Sequence, residues 1–237
     1  MLVIAGSETT ATMLTACTWY LLSSRTPSHD AYARAVAEVR TAFKTTKPED
    51  EKTEITAKAV EAKCPYLVAV LQEALRIFPP VPVGMPRTIG ADDGQLVDGV
   101  FLPKGTAASV HQLPAGTSPR NFTRPLEFLP ERWLSGDKGS EEFQTDKFGA
   151  RQPFSCGPRN CIGQTWVPHS STHVEGRLTL GYSLAHVEMR LLLARMLLNF
   201  DFELAPGRDM ETWRDRCRPF TVWHKPPMLV RLKPADR

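Results

Sequence analysis

Phe154-Ser155-Cys156-Gly157-Pro158-Arg159-Asn160-Cys161-Ile162-Gly163 sets one cysteine in a glycine-punctuated, cationic loop that runs toward an apolar helix. Gly157 and Gly163 permit backbone angles and close approaches that a side chain would block. Pro158 stiffens the turn between them, and Arg159 can neutralise an anionic partner. A helix starting just after Cys161 would offer unpaired amides that favour thiolate over thiol, and the thiolate is the form that ligates a metal. Two further constellations carry charge in ordered spacing. Glu73 and Arg76, three apart in Glu73-Ala74-Leu75-Arg76, share a helix face next to an apolar stripe, so the pair is expected to point inward. Such a pair needs a further partner, because a buried ion pair broken on one side costs roughly 3–5 kcal/mol. Near the start, Ala5-Gly6-Ser7-Glu8-Thr9-Thr10 joins a carboxylate to hydroxyls. In isolation, Ser7, Thr9 and Thr10 would be read as capping or kinking a helix through its carbonyls.

The pattern FxxGxRxCxG at Phe154–Gly163, ExxR at Glu73–Arg76, Pro130-Glu131-Arg132-Trp133 and AGxETT at Ala5–Thr10 occur together and in order, and on these motifs the chain resembles the cytochrome P-450 family. The resemblance implies a haem b cofactor with Cys161 as axial ligand of the iron, donating electron density that promotes O–O cleavage. It implies Arg132 as third member of a structural triad with Glu73 and Arg76. It also implies Arg159 and Arg87 at the haem propionates, Phe154 over the thiolate, and Glu8 and Thr9 as the catalytic acid and alcohol that deliver protons to bound dioxygen. Val81, Val83 and Gly84, after the Glu73–Arg76 helix, would line the substrate pocket or equally belong to the core. The implied activity is monooxygenation of a small organic substrate with O2, with electrons from NADPH through NADPH-cytochrome P-450 reductase. Full-length relatives are anchored in the endoplasmic-reticulum membrane on its cytoplasmic face. Phe78 to Arg87 and Trp223-His224-Lys225-Pro226-Pro227 look like fungal members that act on secondary metabolites.

These residues need a scaffold that is mainly helical with small β-sheets, an α+β arrangement that resembles the C-terminal half of the cytochrome P-450 fold. Apolar spacing predicts a helix over Glu8–Ser24, ended by Arg25-Thr26-Pro27, and another over Ser28–Phe43 with Asp30 near its start. Lys44–Lys52 reads as a polar connection. Cys64–Phe78 is the clearest helix: Pro65 suits a first turn, Leu67, Val70, Leu71, Ala74, Leu75 and Phe78 form one face, and Pro79-Pro80 stops it. Between Val81 and Val110 the short runs Arg87–Ile89, Gln95–Val97 and Thr106–Val110 predict a small sheet. Ala185–Asn199 is a long apolar helix, and Phe200–Leu204 is expected to pair with Met228–Leu232.

The chain has 237 residues, enough to bury a real core, and a net charge of +3 from scattered basic residues. That distribution argues against a nucleic-acid stripe or a polybasic membrane patch. Five cysteines without paired spacing point to free thiols. No apolar run has the length of a membrane span, and Met1-Leu2-Val3-Ile4-Ala5 is too short for a signal peptide. Because the AGxETT stretch lies mid-helix and mid-chain in the family, residues 1–237 read as a partial domain with Met1 an internal methionine.

One departure follows the ligand loop. Thr165–Ser183 separates it from the helix that the family places directly after it. At codon level, Thr165-Trp166-Val167 permits a splice donor, Leu178-Thr179 a branch point and Tyr182-Ser183 an acceptor; excising the 54 nucleotides between donor and acceptor restores Cys-Ile-Gly-Gln-Thr-Leu-Ala-His-Val-Glu-Met-Arg without a gap. The segment is read as a retained intron. Cys156, Cys161, His169 and His173 have the ligand types of a zinc site, but the gap between the second cysteine and first histidine is short for a finger. Two functional classes follow: a haem-thiolate monooxygenase, or a non-catalytic remnant with the motifs but no closed haem pocket.

Overall fold

The computed structural model describes residues 2–24, 29–43, 55–134, 141–164 and 184–235. The Arg25-Thr26-Pro27 stop, the Lys44–Lys52 connection, the whole of Thr165–Ser183 with its two histidines, and Met1 lie outside them. Six helices organise the core: α1 (Leu2–Ser23), α2 (Ala31–Ala42), α3 (Ala57–Lys63), α4 (Pro65–Ile77), α5 (Gln112–Thr117) and α6 (Leu184–Asn199). Two single turns follow at Arg208–Glu211 and Trp213–Arg216.

α4 is the central element. Pro65 occupies its first turn, where a missing N–H costs nothing. The free amides of Tyr66 and Leu67 donate to the Glu38 carboxylate of α2 at 2.9 and 2.8 Å, so a neighbouring helix supplies the cap. Leu67, Val70, Leu71, Ala74 and Leu75 are buried with Phe78, and each large apolar side chain removed from water contributes about 1.5–3 kcal/mol. α1, α2, α3 and α6 all pack on α4. α2 begins one residue after Asp30, whose carboxylate accepts from the Ala33 amide at 2.9 Å. α3 is an unanticipated helix, capped by Thr56, whose hydroxyl accepts from the Ala59 amide.

The strands are β1 (Arg87–Thr88), β2 (Gln95–Val97), β3 (Val100–Leu102), β4 (Ala107–Ala108), β5 (Phe200–Leu204), β6 (Arg218–Pro219), β7 (Trp223–His224) and β8 (Val230–Pro234). They form four antiparallel pairs among the described residues, β1 with β4, β2 with β3, β5 with β8 and β6 with β7. The single sheet expected between Val81 and Val110 is two separate ladders. β2 and β3 close on Asp98-Gly99, both at positive φ (48° and 78°), the two-residue turn that matches strand twist. β5 pairs with Val230–Pro234, two residues beyond the expected partner; a slip of two keeps every side chain on its face.

After Cys161 the backbone makes one 3-10 turn, Ile162–Gln164, and α6 begins at Leu184 and packs against that turn. Among the described residues no α-helix starts at Cys161; the helical turn that follows it is of the 3-10 type.

Candidate functional site

Glu73 is wholly buried and fully used. Its Oε1 accepts from Arg76 Nη2 at 2.7 Å, Arg132 Nε at 3.1 Å and the Leu129 amide at 2.9 Å, and its Oε2 accepts from Arg76 Nε and the Trp133 indole, both at 2.8 Å. Arg76 spends its remaining donors on the carbonyls of Gly116, Pro125 and Glu127 at 2.6–2.9 Å. Arg132 reaches the carbonyl of Thr123 at 3.0 Å and the carboxylate of Asp146, which also accepts from the Thr123 amide at 2.6 Å. Two carboxylates and two guanidinium groups, with no side-chain exposure, are thus tied to the backbone of Gly116, Thr123, Pro125, Glu127 and Leu129. Gly116 is required here, since a Cβ would meet the Arg76 carbonyl oxygen at 2.3 Å. Glu73, Arg76 and Arg132 come together, joined by Trp133 of the same Pro130–Trp133 motif; Asp146 and Gly116 are members that the motifs did not indicate.

Above this cluster the loop residues line a cleft of about 740 Å³. Thr9, Thr10 and Met13 of α1 form one wall, Val81, Val83, Gly84 and Arg87 a second, and Phe154, Cys156, Arg159 and Cys161 a third. Residues 154–161 close into a loop through the Cys161 amide, which donates to the Phe154 carbonyl at 2.8 Å. Ser155 (φ 60°) and Gly157 (φ 74°) both take left-handed backbone; for serine that conformation is strained. Gly163 is different: an added Cβ would stand 3.6 Å from Cys161 Sγ, an ordinary contact, so the fold alone does not demand glycine there. Gly84 is demanded, with the Val110 carbonyl oxygen 2.6 Å from where its Cβ would lie.

Cys161 and Cys156 are exposed thiols, whereas Cys17, Cys64 and Cys217 are buried, with burial pushing Cys17 and Cys64 up to about 12 and Cys217 up to about 11. Arg87 and Arg159 are exposed and, among the described residues, neither is paired with a carboxylate. Thr9 faces the cleft with its hydroxyl donated to the Ala5 carbonyl at 2.7 Å. Glu8 turns to another side: its Oε1 accepts from Lys225 Nζ and, at 3.1 Å, from Thr12 Oγ1. The hydrogen bond from Lys225 is the main reason its carboxyl lies below the usual carboxylate range. Glu8 and Thr9 therefore adjoin in sequence, but only Thr9 lines the cleft.

Two residues behind the loop escaped the motif reading. Arg151 stacks 4.2 Å over the Trp133 ring and donates to Gln72 Oε1, while its buried Nη1 has no hydrogen-bond partner among the described residues. Burial pushes its guanidinium down to about 10. His186, on α6, lies 5.0 Å from the Phe154 ring, and burial, aided by Arg190 and Arg151, pushes its imidazole down to about 4. Their signal in sequence was weak, because neither has a partner at a fixed short spacing.

The family model described as Cytochrome P450 matches residues 1–166, and the chain belongs to that family. Its curated relatives include several fungal proteins. The cytochrome P450 monooxygenase lcsI of Purpureocillium lilacinum is 43% identical over 238 residues, covering 100% of this chain and 39% of that protein. The averantin hydroxylase of Dothistroma septosporum is 40% identical, covering 98% and 38%. The trichothecene C-4 hydroxylase of Trichoderma arundinaceum is 39% identical, covering 98% and 40%. The chain spans about two fifths of the length of these relatives. A zebra fish cytochrome P450 solved with progesterone superposes with a TM-score of 0.66 at 26% identity, covering 98% of this chain and 43% of that one. The observed mixture of helices and small strand pairs is thus a partial cytochrome P450 fold, and the family implies a haem-thiolate cofactor in general. No described helix is long and apolar enough to cross a membrane.

Proposed function

We propose that the chain carries the haem-binding and proton-delivering part of a haem-thiolate monooxygenase. The reaction would insert one oxygen atom of O2 into a small organic substrate of the fungal secondary-metabolite type and reduce the other to water. The observation that carries this reading is the convergence of Cys161, Arg159, Arg87, Phe154 and Thr9 on one cleft. The cleft fits haem b in its chemistry: an exposed thiol, two guanidinium groups paired with no carboxylate among the described residues, and walls that are mainly apolar. Cys161 Sγ would hold the haem iron, and Arg159 and Arg87 would hold the propionates. When bound, haem supplies dioxygen activation with electron density from the thiolate. The clamp around Glu73 would hold the backbone on which the loop rests, a structural role. Phe154 would limit water near the sulfur. Glu8 would take protons from water and pass them toward Thr9 Oγ1, whose hydroxyl must leave the Ala5 carbonyl to donate into the cleft. Electrons would come from NADPH through NADPH-cytochrome P-450 reductase, at the cytoplasmic face of the endoplasmic reticulum where anchored relatives work.

Thr165–Ser183 belongs to the same reading as a retained intron. In support, the family match ends at residue 166, and the turn Ile162–Gln164 packs against α6, so the flanks of the segment are already neighbours. Sequencing the transcript across the locus tests this, with loss of 54 nucleotides expected.

The functional test is haem uptake by the purified chain. The reduced carbon monoxide complex should show the red-shifted Soret band of thiolate ligation, and Cys161→Ala should abolish it. A chain that takes up no haem, or one whose band survives Cys161→Ala, overturns the proposal.

A further inference from the structure

We propose that Lys225 is a positioning residue for Glu8, fixing the charge and direction of the proposed distal acid from a loop 217 residues away. The inference rests on the assignment of Glu8 above and gives a role to Lys225, to which the resemblance assigned none. Lys225 follows β7, and the segment around it is pinned on both sides. The Trp223 indole donates to the Pro79 carbonyl at 2.7 Å, with its ring stacked 4.0 Å from Phe78. On the other side, the Pro226 carbonyl accepts from the Trp213 indole at 2.9 Å. Pro226 and Pro227 restrict the backbone further. A lysine on a free loop loses most of an ion pair's gain to the ordering of its own stem. Here the backbone is ordered by other contacts, and the ammonium has only its side chain left to fix. Lys225 is about one-fifth exposed at its side chain and Glu8 nearly half exposed. Water therefore reaches the carboxylate while the ammonium holds it.

The groups acting on the Glu8 carboxylate are Lys225, from the C-terminal loop, and Thr12, one turn further along α1. Both bind Oε1, so the carboxylate is held from one side and ionised. An ionised, oriented carboxylate is the form that accepts a proton from water; its release toward Thr9 then requires the ammonium contact to loosen. Removing Lys225 should leave the acid in place but let it rotate and protonate more readily.

The experiment labels the glutamate side-chain carboxyls of the whole chain with 13C, assigns Glu8 by its loss in Glu8→Gln, and follows its shift with pH in wild type, Lys225→Met and Lys225→Arg. Glu8 should titrate below the ordinary glutamate range in wild type, move up toward it in Lys225→Met, and return in Lys225→Arg. A Glu8 signal that titrates identically in wild type and Lys225→Met overturns the inference. This measurement needs no haem, so failed haem uptake would sink the functional reading and leave the pairing to be decided on its own. In haem-loaded protein, Lys225→Met should change the ratio of product to hydrogen peroxide by roughly tenfold, less than the roughly 100-fold loss expected from deleting the acid. The pH profile of that ratio should shift in the same direction as the Glu8 titration. An unchanged ratio and profile would also overturn a positioning role.

Discussion

The Glu73 cluster and the Cys161 loop differ in nearly every physical respect. Around Glu73, four charged side chains are sealed from water and each is met by partners from this chain. Around Cys161, the thiol and Arg159 are exposed, and the backbone carries a strained serine. The first region is complete as folded. The second is held in shape by its neighbours and offers its chemistry outward. A binding site built on a rigid clamp can keep reactive groups unsatisfied, because the stability that those groups forgo is supplied elsewhere.

Cutting into the clamp should have the largest effect. Glu73→Ala leaves two buried guanidinium groups without their carboxylate, and a destabilisation of about 3–5 kcal/mol or outright failure to fold is expected, read as a loss of cooperative melting. Next comes the junction between the regions. His186 is held neutral by burial with a value of about 4, while an unfolded histidine titrates near 6.5. The unfolded state therefore binds the extra proton between those values. Stability from this group is complete above about pH 6.5 and lost as pH falls toward 4, amounting to up to about 3 kcal/mol. Denaturant midpoints measured across that window should fall for wild type and flatten for His186→Phe. The smallest effect belongs to the loop itself: Cys161→Ser, in the haem-free chain, should change stability by no more than about 0.5 kcal/mol. A Cys161→Ser protein that melts like Glu73→Ala would erase the distinction between the two regions.

How much of this could be read from sequence follows the range of the interactions. α4 was legible because Pro65, a stripe of apolar residues and Pro79-Pro80 all act within a few residues. Asp30 marked α2 for the same reason. α3 was missed because Ala57–Lys63 carries little apolar content beyond Val60, although Thr56 at its start was a readable cap. The Asp98-Gly99 turn was likewise a readable sign of β2 and β3, overlooked among prolines and glycines. The partners of the motif residues lay deeper. Asp146 meets Arg132 across 14 residues, Trp133 meets Glu73 across 60, and Lys225 meets Glu8 across 217, with no periodicity to announce them. Motifs supply residues that act together; which other residues hold them is decided by packing.

Trp223 ties its indole to the carbonyl of Pro79, 144 residues earlier, where α4 gives way to the wall of the cleft. On a ribosome adding about 5–20 residues each second, that wall waits roughly ten seconds or more for its fastening to be made. Until then the exit of α4 has no indole donor and Phe78 lacks the ring stacked on it. The order of synthesis thus makes the end of the chain the last part of the site to assemble, and a nascent protein stopped short of Trp223 would hold its cysteine loop before it had a finished wall to face.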